Sequence, residues 1–124
     1  MNVVDSSGWL EYFADGPNSK HFAKPIESVR ELLVPSLSIA EVFKRVLIQR
    51  GEDSALQAVA AMQQGRIVDL DTSIAILAAK LGAELHLPLA DSIILASARA
   101  HQAILWTQDS DFKNVENVKY FSKR

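Results

Sequence analysis

The sequence contains no cysteine. Disulfides, iron–sulfur clusters and thiolate zinc sites are therefore excluded. Long apolar runs are missing too: none approaches the roughly 20 residues that span a bilayer, so no membrane partner is expected. The N-terminus has no basic segment followed by an apolar stretch, and a signal peptide is not expected. These absences together fit a cytoplasmic protein. Positive charge is not in excess either: 13 Lys and Arg stand against 15 Asp and Glu, a net charge of −2. That balance counts against a non-catalytic nucleic-acid clamp. It counts little against an enzyme whose acidic site is neutralised by bound cations. There is no internal repeat, linker or low-complexity segment.

What is present is ordinary for a folded chain. With 124 residues, 48 % hydrophobic and 23 % charged, the sequence suits one domain over residues 1–124. Short apolar runs alternate with helical patterns. Asn2 to Asp5 reads as a buried strand, followed by a helix from Ser7 to about Ala14. A second helix is expected over residues 18–29, interrupted by Pro25. Leu32-Leu33-Val34 is a second strand, closed by Pro35-Ser36. Ser38 to Arg50 and Glu52 to Gln64 form two helices joined at Gly51, a helical hairpin at about 38–64. Arg66 to Leu70 is a third strand. Asp71 or Thr72 caps a helix reaching Leu85, and Pro88 suits the first position of a helix to about Ala100. Ala103 to Thr107 is the last core strand, residues 108–112 a loop, and Val118 to Phe121 an edge strand. Strands alternating with helices predict an α/β fold with a mostly parallel central sheet flanked by helices.

Acids stand out against this frame. Asp5 ends the first strand, where open α/β sheets place their sites, and Asp5 or Ser6 is equally suited to cap the helix that follows. Glu41 lies opposite the Ile39/Val42/Val46 stripe. Ser38-Ile39-Ala40-Glu41 is also a capping-box pattern, which reads as an exposed glutamate in a first turn. Asp91 shares the buried face of its helix with Ile94, Leu95 and Ala98, and an unpaired carboxylate there needs a cation, a metal or helix N–H groups. Asp109 and Asp111 follow the last core strand directly, in a stretch whose composition also suits a plain turn. In a parallel sheet, strand carboxyl ends and the N-termini of the following helices share one edge. Carboxylates gathered there repel one another, and Mg²⁺ or Mn²⁺ relieves that repulsion through oxygen ligands.

The segments Val3-Val4-Asp5-Ser6-Ser7, Ser38-Ile39-Ala40-Glu41-Val42, Leu89-Ala90-Asp91-Ser92-Ile93-Ile94-Leu95-Ala96 and Thr107-Gln108-Asp109-Ser110-Asp111-Phe112 resemble the PIN domain family in order and spacing. The size and the small helical hairpin are similar to VapC-type toxins of toxin–antitoxin pairs. The resemblance implies a PIN-like fold and a Mg²⁺- or Mn²⁺-dependent endoribonuclease acting on an RNA substrate. On that resemblance Asp5, Glu41, Asp91 and Asp109 form the catalytic and metal-binding quartet, with Asp111 an additional acid and Ser7 and Thr107 supporting hydroxyls. It also implies a homodimer and a cognate antitoxin whose C-terminal segment blocks the active-site groove.

Other residues carry lesser expectations. Lys44, Arg45 and Arg50 share a helix with Glu41, and Lys113, Lys119, Lys123 and Arg124 make the C-terminus basic. Of these, Lys44, Arg45 and Lys113 are expected to touch RNA phosphates. His21, His86 and His101 lack ligand spacing, and Trp9 and Trp106 read as core. Phe13, Phe43, Val46 and Leu47 suit a dimer or antitoxin surface as well as a core, and the hairpin, residues 38–64, is the expected partner surface. Two competing readings stand beside the ribonuclease: a phosphatase or phosphotransferase with an aspartyl nucleophile, and a PIN-like docking module without catalysis.

Overall fold

The computed structural model describes residues 1–124. Its strands are β1 (Asn2–Val4), β2 (Leu32–Pro35), β3 (Arg66–Val68), β4 (Ile104–Thr107) and β5 (Val118–Tyr120). They form one sheet in the order β3-β2-β1-β4-β5. Every neighbouring pair is parallel, β5 included. The helices between them are α1 (Ser6–Phe13), α2 (Ser19–Glu27), α3 (Ser36–Arg50), α4 (Glu52–Met62), α5 (Thr72–Leu85) and α6 (Leu89–Ala100).

Alternation along the strands explains why both faces are covered. Successive strand residues point to opposite faces. Val3, Leu33 and Leu105 accordingly face a core closed by Ile74, Ala78 and Leu81 of α5 and Ile94 and Leu95 of α6. Val4, Val34 and Trp106 face the other core, closed by Trp9, Phe22, Val42, Ala55 and Met62 from α1 to α4. Trp9 and Trp106 are thus core residues, and the Trp106 indole N–H donates to Asn2 Oδ1 at 2.9 Å. No single helix is long and apolar enough to cross a membrane.

Boundaries differ from the expected ones at instructive places. Helix α3 starts at Ser36, with Pro35 in the N-cap position and no side-chain cap. The Ser38–Glu41 capping box is therefore not formed. Pro35 already has the extended backbone of a strand end and lacks the N–H that a continuing strand would use. Glu41 consequently lies in the second turn of α3, not the first. Pro88 is likewise the N-cap of α6 rather than its first residue. Pro25 sits inside α2, which still continues to Glu27, burial of Phe22, Pro25 and Ile26 offsetting the missing hydrogen bond. Strand β3 ends at Val68, freeing Asp71 to cap α5 by accepting from Ile74 N at 2.9 Å. Residues Ser110–Phe112 form a 3-10 turn rather than an open loop, anchored by fully buried Phe112.

The order of the strands locates the crevice. From β1 the chain moves to one side through β2 and β3, then crosses to the other side for β4 and β5. Beyond the carboxyl ends of β1 and β4, connections leave in opposite directions, and a parallel α/β sheet opens a cleft at such a point.

Candidate acidic metal centre

Asp5 emerges from β1 into that cleft and is 3 % exposed. Its Oδ1 accepts from Ser7 Oγ at 2.7 Å and from Gly8 N at 3.0 Å, so it does cap α1. Its Oδ2 accepts from Thr107 Oγ1, at the end of β4, at 2.6 Å. Capping and site placement are therefore the same geometry. Burial pushes the Asp5 carboxyl up to about 6, against the lowering effect of those three donors. A carboxylate has about four lone-pair sites, so Asp5 keeps accepting capacity.

Thr107 continues the chain of contacts, accepting from Asp109 N at 2.9 Å. Asp109 Oδ1 in turn accepts from Asp111 N at 2.9 Å, closing the turn that brings both acids forward. Oxygens of Asp91, Asp109 and Asp111 lie within 4.8 Å of one another. Asp91 comes from the first turn of α6 and is half-buried, whereas Ile94, Leu95 and Ala98 of the same helix are buried. Burial raises its carboxyl to about 7, reinforced by the charges of Asp109, Asp111 and Asp5 and by a hydrogen bond with Asp111. The tightest acidic group is thus Asp91, Asp109 and Asp111, with Asp5 coupled to it electrostatically.

Glu41 reaches the same sheet edge by a different route. From the second turn of α3 its Oε1 accepts from Ser6 Oγ at 2.6 Å, which ties it to the residue after Asp5. Ser6, Ser7, Glu41 and Gln108 line the inner end of a cavity of about 790 Å³ that runs between α1 and the α3–α4 hairpin. Arg45 lines it too, whereas Lys44 and Lys113 are exposed and do not. The histidines are elsewhere: His21 stacks on Phe121 at 4.4 Å, His86 ends α5, and His101 Nδ1 lies 3.1 Å from Ser97 O. On the hairpin, Val46 is buried and belongs to the core, while Leu47, Ile48 and Leu56 are exposed.

Three polar groups that the fold employs have no role legible in the sequence. Ser6 holds Glu41 from 35 positions away in sequence. Asn18, 1 % exposed, donates from Nδ2 to Gln108 Oε1 at 3.0 Å and to Ser122 O at 2.9 Å. Gln108 donates its backbone N–H to Ser7 Oγ at 3.3 Å. None of these has a local signature, since Asn18 sits in a turn-forming stretch and its partners are about a hundred residues away.

The chain is therefore an all-parallel α/β domain with an acidic cleft at the switch between β1 and β4. It belongs to the PIN domain family, whose model matches residues 3–118. Several solved structures are similar in fold. One, described as a toxin–antitoxin complex from Klebsiella pneumoniae, superposes with a TM-score of 0.84 at 21 % identity, covering 98 % of this chain and 99 % of that one. VapC20 of Mycobacterium tuberculosis, described as a sarcin-ricin loop cleaving toxin, has a TM-score of 0.73 at 15 % identity, with coverages of 94 % and 95 %. The Neisseria gonorrhoeae structure described as FitAcB gives 0.65 at 24 % identity, with coverages of 98 % and 97 %. No curated protein sequence matches this chain.

Proposed function

We propose that this protein is a Mg²⁺- or Mn²⁺-dependent endoribonuclease of the VapC type, held in check by a cognate antitoxin and acting as a homodimer. The observation that carries the reading is the convergence of Asp91, Asp109 and Asp111 beside buried Asp5. These are hard oxygen donors, and burial together with their mutual repulsion raises the Asp91 carboxyl to about 7. A divalent cation fits that donor set in charge and ligand type. Asp91, Asp109 and Asp111 would hold it, with Asp5 alongside. When bound it supplies Lewis acidity at a phosphoryl oxygen and a more acidic water.

The chain's own residues do the rest. Thr107 and Ser7 fix both oxygens of Asp5, so the acid cannot turn away from the cleft. Ser6 fixes Glu41 through Oε1, which leaves Oε2 to orient the attacking water and take its proton. Water attacks phosphorus and the bond to the 3′ oxygen breaks; that oxygen takes a proton from solvent, leaving a 5′-phosphate and a 3′-hydroxyl. The ribose 2′-OH is not the nucleophile.

The antitoxin rests on the fold likeness to toxin–antitoxin complexes, and the homodimer on family resemblance. Exposed Leu47, Ile48 and Leu56 on the hairpin supply apolar surface for a partner. The aspartyl-phosphatase reading is disfavoured by Asp5 itself. A nucleophilic carboxylate needs an accessible oxygen, and Asp5 is 3 % exposed with hydrogen bonds at both oxygens.

The test is incubation of partner-free protein with mixed RNA in Mg²⁺, Mn²⁺ or EDTA, beside Asp5→Asn and Asp91→Asn. Fragments bearing 5′-phosphates are expected only with metal and unaltered protein. Cyclic phosphate ends, or undiminished cleavage by Asp91→Asn, would overturn the reading. No cleavage by a folded, metal-loaded protein would favour the docking module.

A further inference from the structure

The cavity between α1 and the α3–α4 hairpin has a charge pattern unlike the cleft it adjoins. Residues four apart on a helix share a face, so Glu41, Arg45 and Gln49 form one row along α3. At 1.5 Å per residue, Arg45 lies about 6 Å and Gln49 about 12 Å beyond Glu41 along the helix axis. All three line the cavity, together with Arg50, Gln57 and, from the C-terminal tail, Lys123. The wall therefore turns cationic immediately outside the acidic centre.

Two features show that this charge is available. The cavity's acids are Glu11 and Glu41, outnumbered by Arg45, Arg50 and Lys123, and each acid is held back by a hydrogen bond within the fold. Glu11 Oε2 accepts from Asn18 N at 2.7 Å, and Glu41 Oε1 from Ser6 Oγ at 2.6 Å. Arg45, Arg50 and Lys123 are exposed, and none is hydrogen-bonded to an acid. The tail is also held in place. Buried Asn18 grips Ser122 O at 2.9 Å, and Phe121 N donates to Thr107 O at 2.9 Å. Lys123 follows directly and lines the same cavity as the α3 row.

We infer that this cavity is a binding track for the RNA strand flanking the scissile bond, with Arg45, Arg50 and Lys123 on its phosphates and Gln49 and Gln57 toward its bases. The choice of RNA as ligand rests on the ribonuclease reading. Phosphate-directed cations beside exposed amides suit an unpaired strand, whose base edges are open to side chains. The track gives a chain of net charge −2 a local means of holding a polyanion.

The test separates binding from cleavage. A fluorescent single-stranded oligoribonucleotide is titrated in EDTA at several salt concentrations. The proteins compared are the unaltered one and the Arg45→Ala, Arg50→Ala, Lys123→Ala triple variant, with matched thermal unfolding as a check on fold. Removing one cation from a phosphate should flatten the plot of log affinity against log salt by about 0.7, so the triple variant's slope should be shallower by about 2. Affinity at about 50 mM salt should fall at least roughly tenfold, and Arg45→Lys alone should retain most of it. In Mn²⁺, cleavage of long RNA should fall through KM with kcat nearly unchanged. An unchanged affinity and slope would overturn the inference and leave the cavity to a protein partner's segment. So would an unaltered protein that binds no RNA. Binding that depends on the three cations without cleavage in Mn²⁺ would uphold the track and sink the ribonuclease reading alone.

Discussion

Replacing Asp91 by asparagine should stabilise the metal-free protein at pH 8. The folded carboxyl is raised from 3.8 to about 7 by burial and by Asp109, Asp111 and Asp5. At ~1.36 kcal/mol per pH unit that rise is worth about 4 kcal/mol before screening. Asp91 is half-exposed, so solvent screening reduces the usable figure to about 1–2 kcal/mol. Asparagine removes the charge and keeps an N–H donor for Asp111. The melting temperature in EDTA should then rise by roughly 4–8 °C for a domain of this size. The pH dependence follows from the direction of the shift. Between about pH 4 and 7 folded Asp91 holds a proton that the unfolded chain has released, so metal-free stability falls as pH rises through that window. The advantage of Asp91→Asn should shrink as pH drops below 7 and vanish near pH 4. Mn²⁺ should reverse the order, because a site filled at about a hundredfold excess over Kd adds about 2.7 kcal/mol to the unaltered protein alone. The assay is thermal unfolding with and without Mn²⁺ across this pH range. A variant that melts below the unaltered protein in EDTA at pH 8, or gains as much from Mn²⁺, would refute the reasoning.

Three further perturbations test the supports. Thr107→Val removes the donor to Asp5 and the acceptor for Asp109 N. Urea unfolding should show a loss of about 2–3 kcal/mol. With that lowering hydrogen bond gone, the Asp5 carboxyl moves above about 6, so the acid limb of the pH–activity profile should shift to higher pH. Gly8→Ala would place a Cβ 2.6 Å from Val4 Cγ1 and 2.8 Å from the Phe22 ring, and should cost about 1–3 kcal/mol by the same measurement. Phe112→Ala empties a fully buried position under the turn that carries Asp109 and Asp111. It should cost about 3–5 kcal/mol and weaken Mn²⁺ binding measured by calorimetry.

The α/β class was legible because apolar strands alternate with amphipathic helices, and that pattern follows directly from burial on both sheet faces. Asp5, Asp91, Asp109 and Asp111 were legible as a group because strand ends and helix starts share an edge. Helix starts were less so. The Ser38 pattern offered a good local cap, yet Pro35 ended β2 and began α3 earlier because the chain had to turn there. Nor could the local pattern say that Asp91 is only half-buried, since a helix wheel gives azimuth but not the distance to the sheet edge. Asn18 and Gln108 were out of reach altogether. Their roles exist only through partners supplied by the tertiary fold, and a polar residue in a turn carries no mark of them.

Strand β1 pairs with β4, and this has a bearing on the order in which the protein is made. Asp5 leaves the ribosome about a hundred residues before its partner Thr107 and the neighbouring Asp109. A nascent chain that has finished α1 to α5 has the Ser7 hydroxyl on Asp5 but neither the Thr107 hydroxyl nor the acids Asp91, Asp109 and Asp111. The cleft cannot assemble on a growing or prematurely terminated chain that stops short of β4. A fragment that stops before β4 therefore carries Asp5 without Thr107, Asp109 and Asp111, and its half of the cleft has no counterpart.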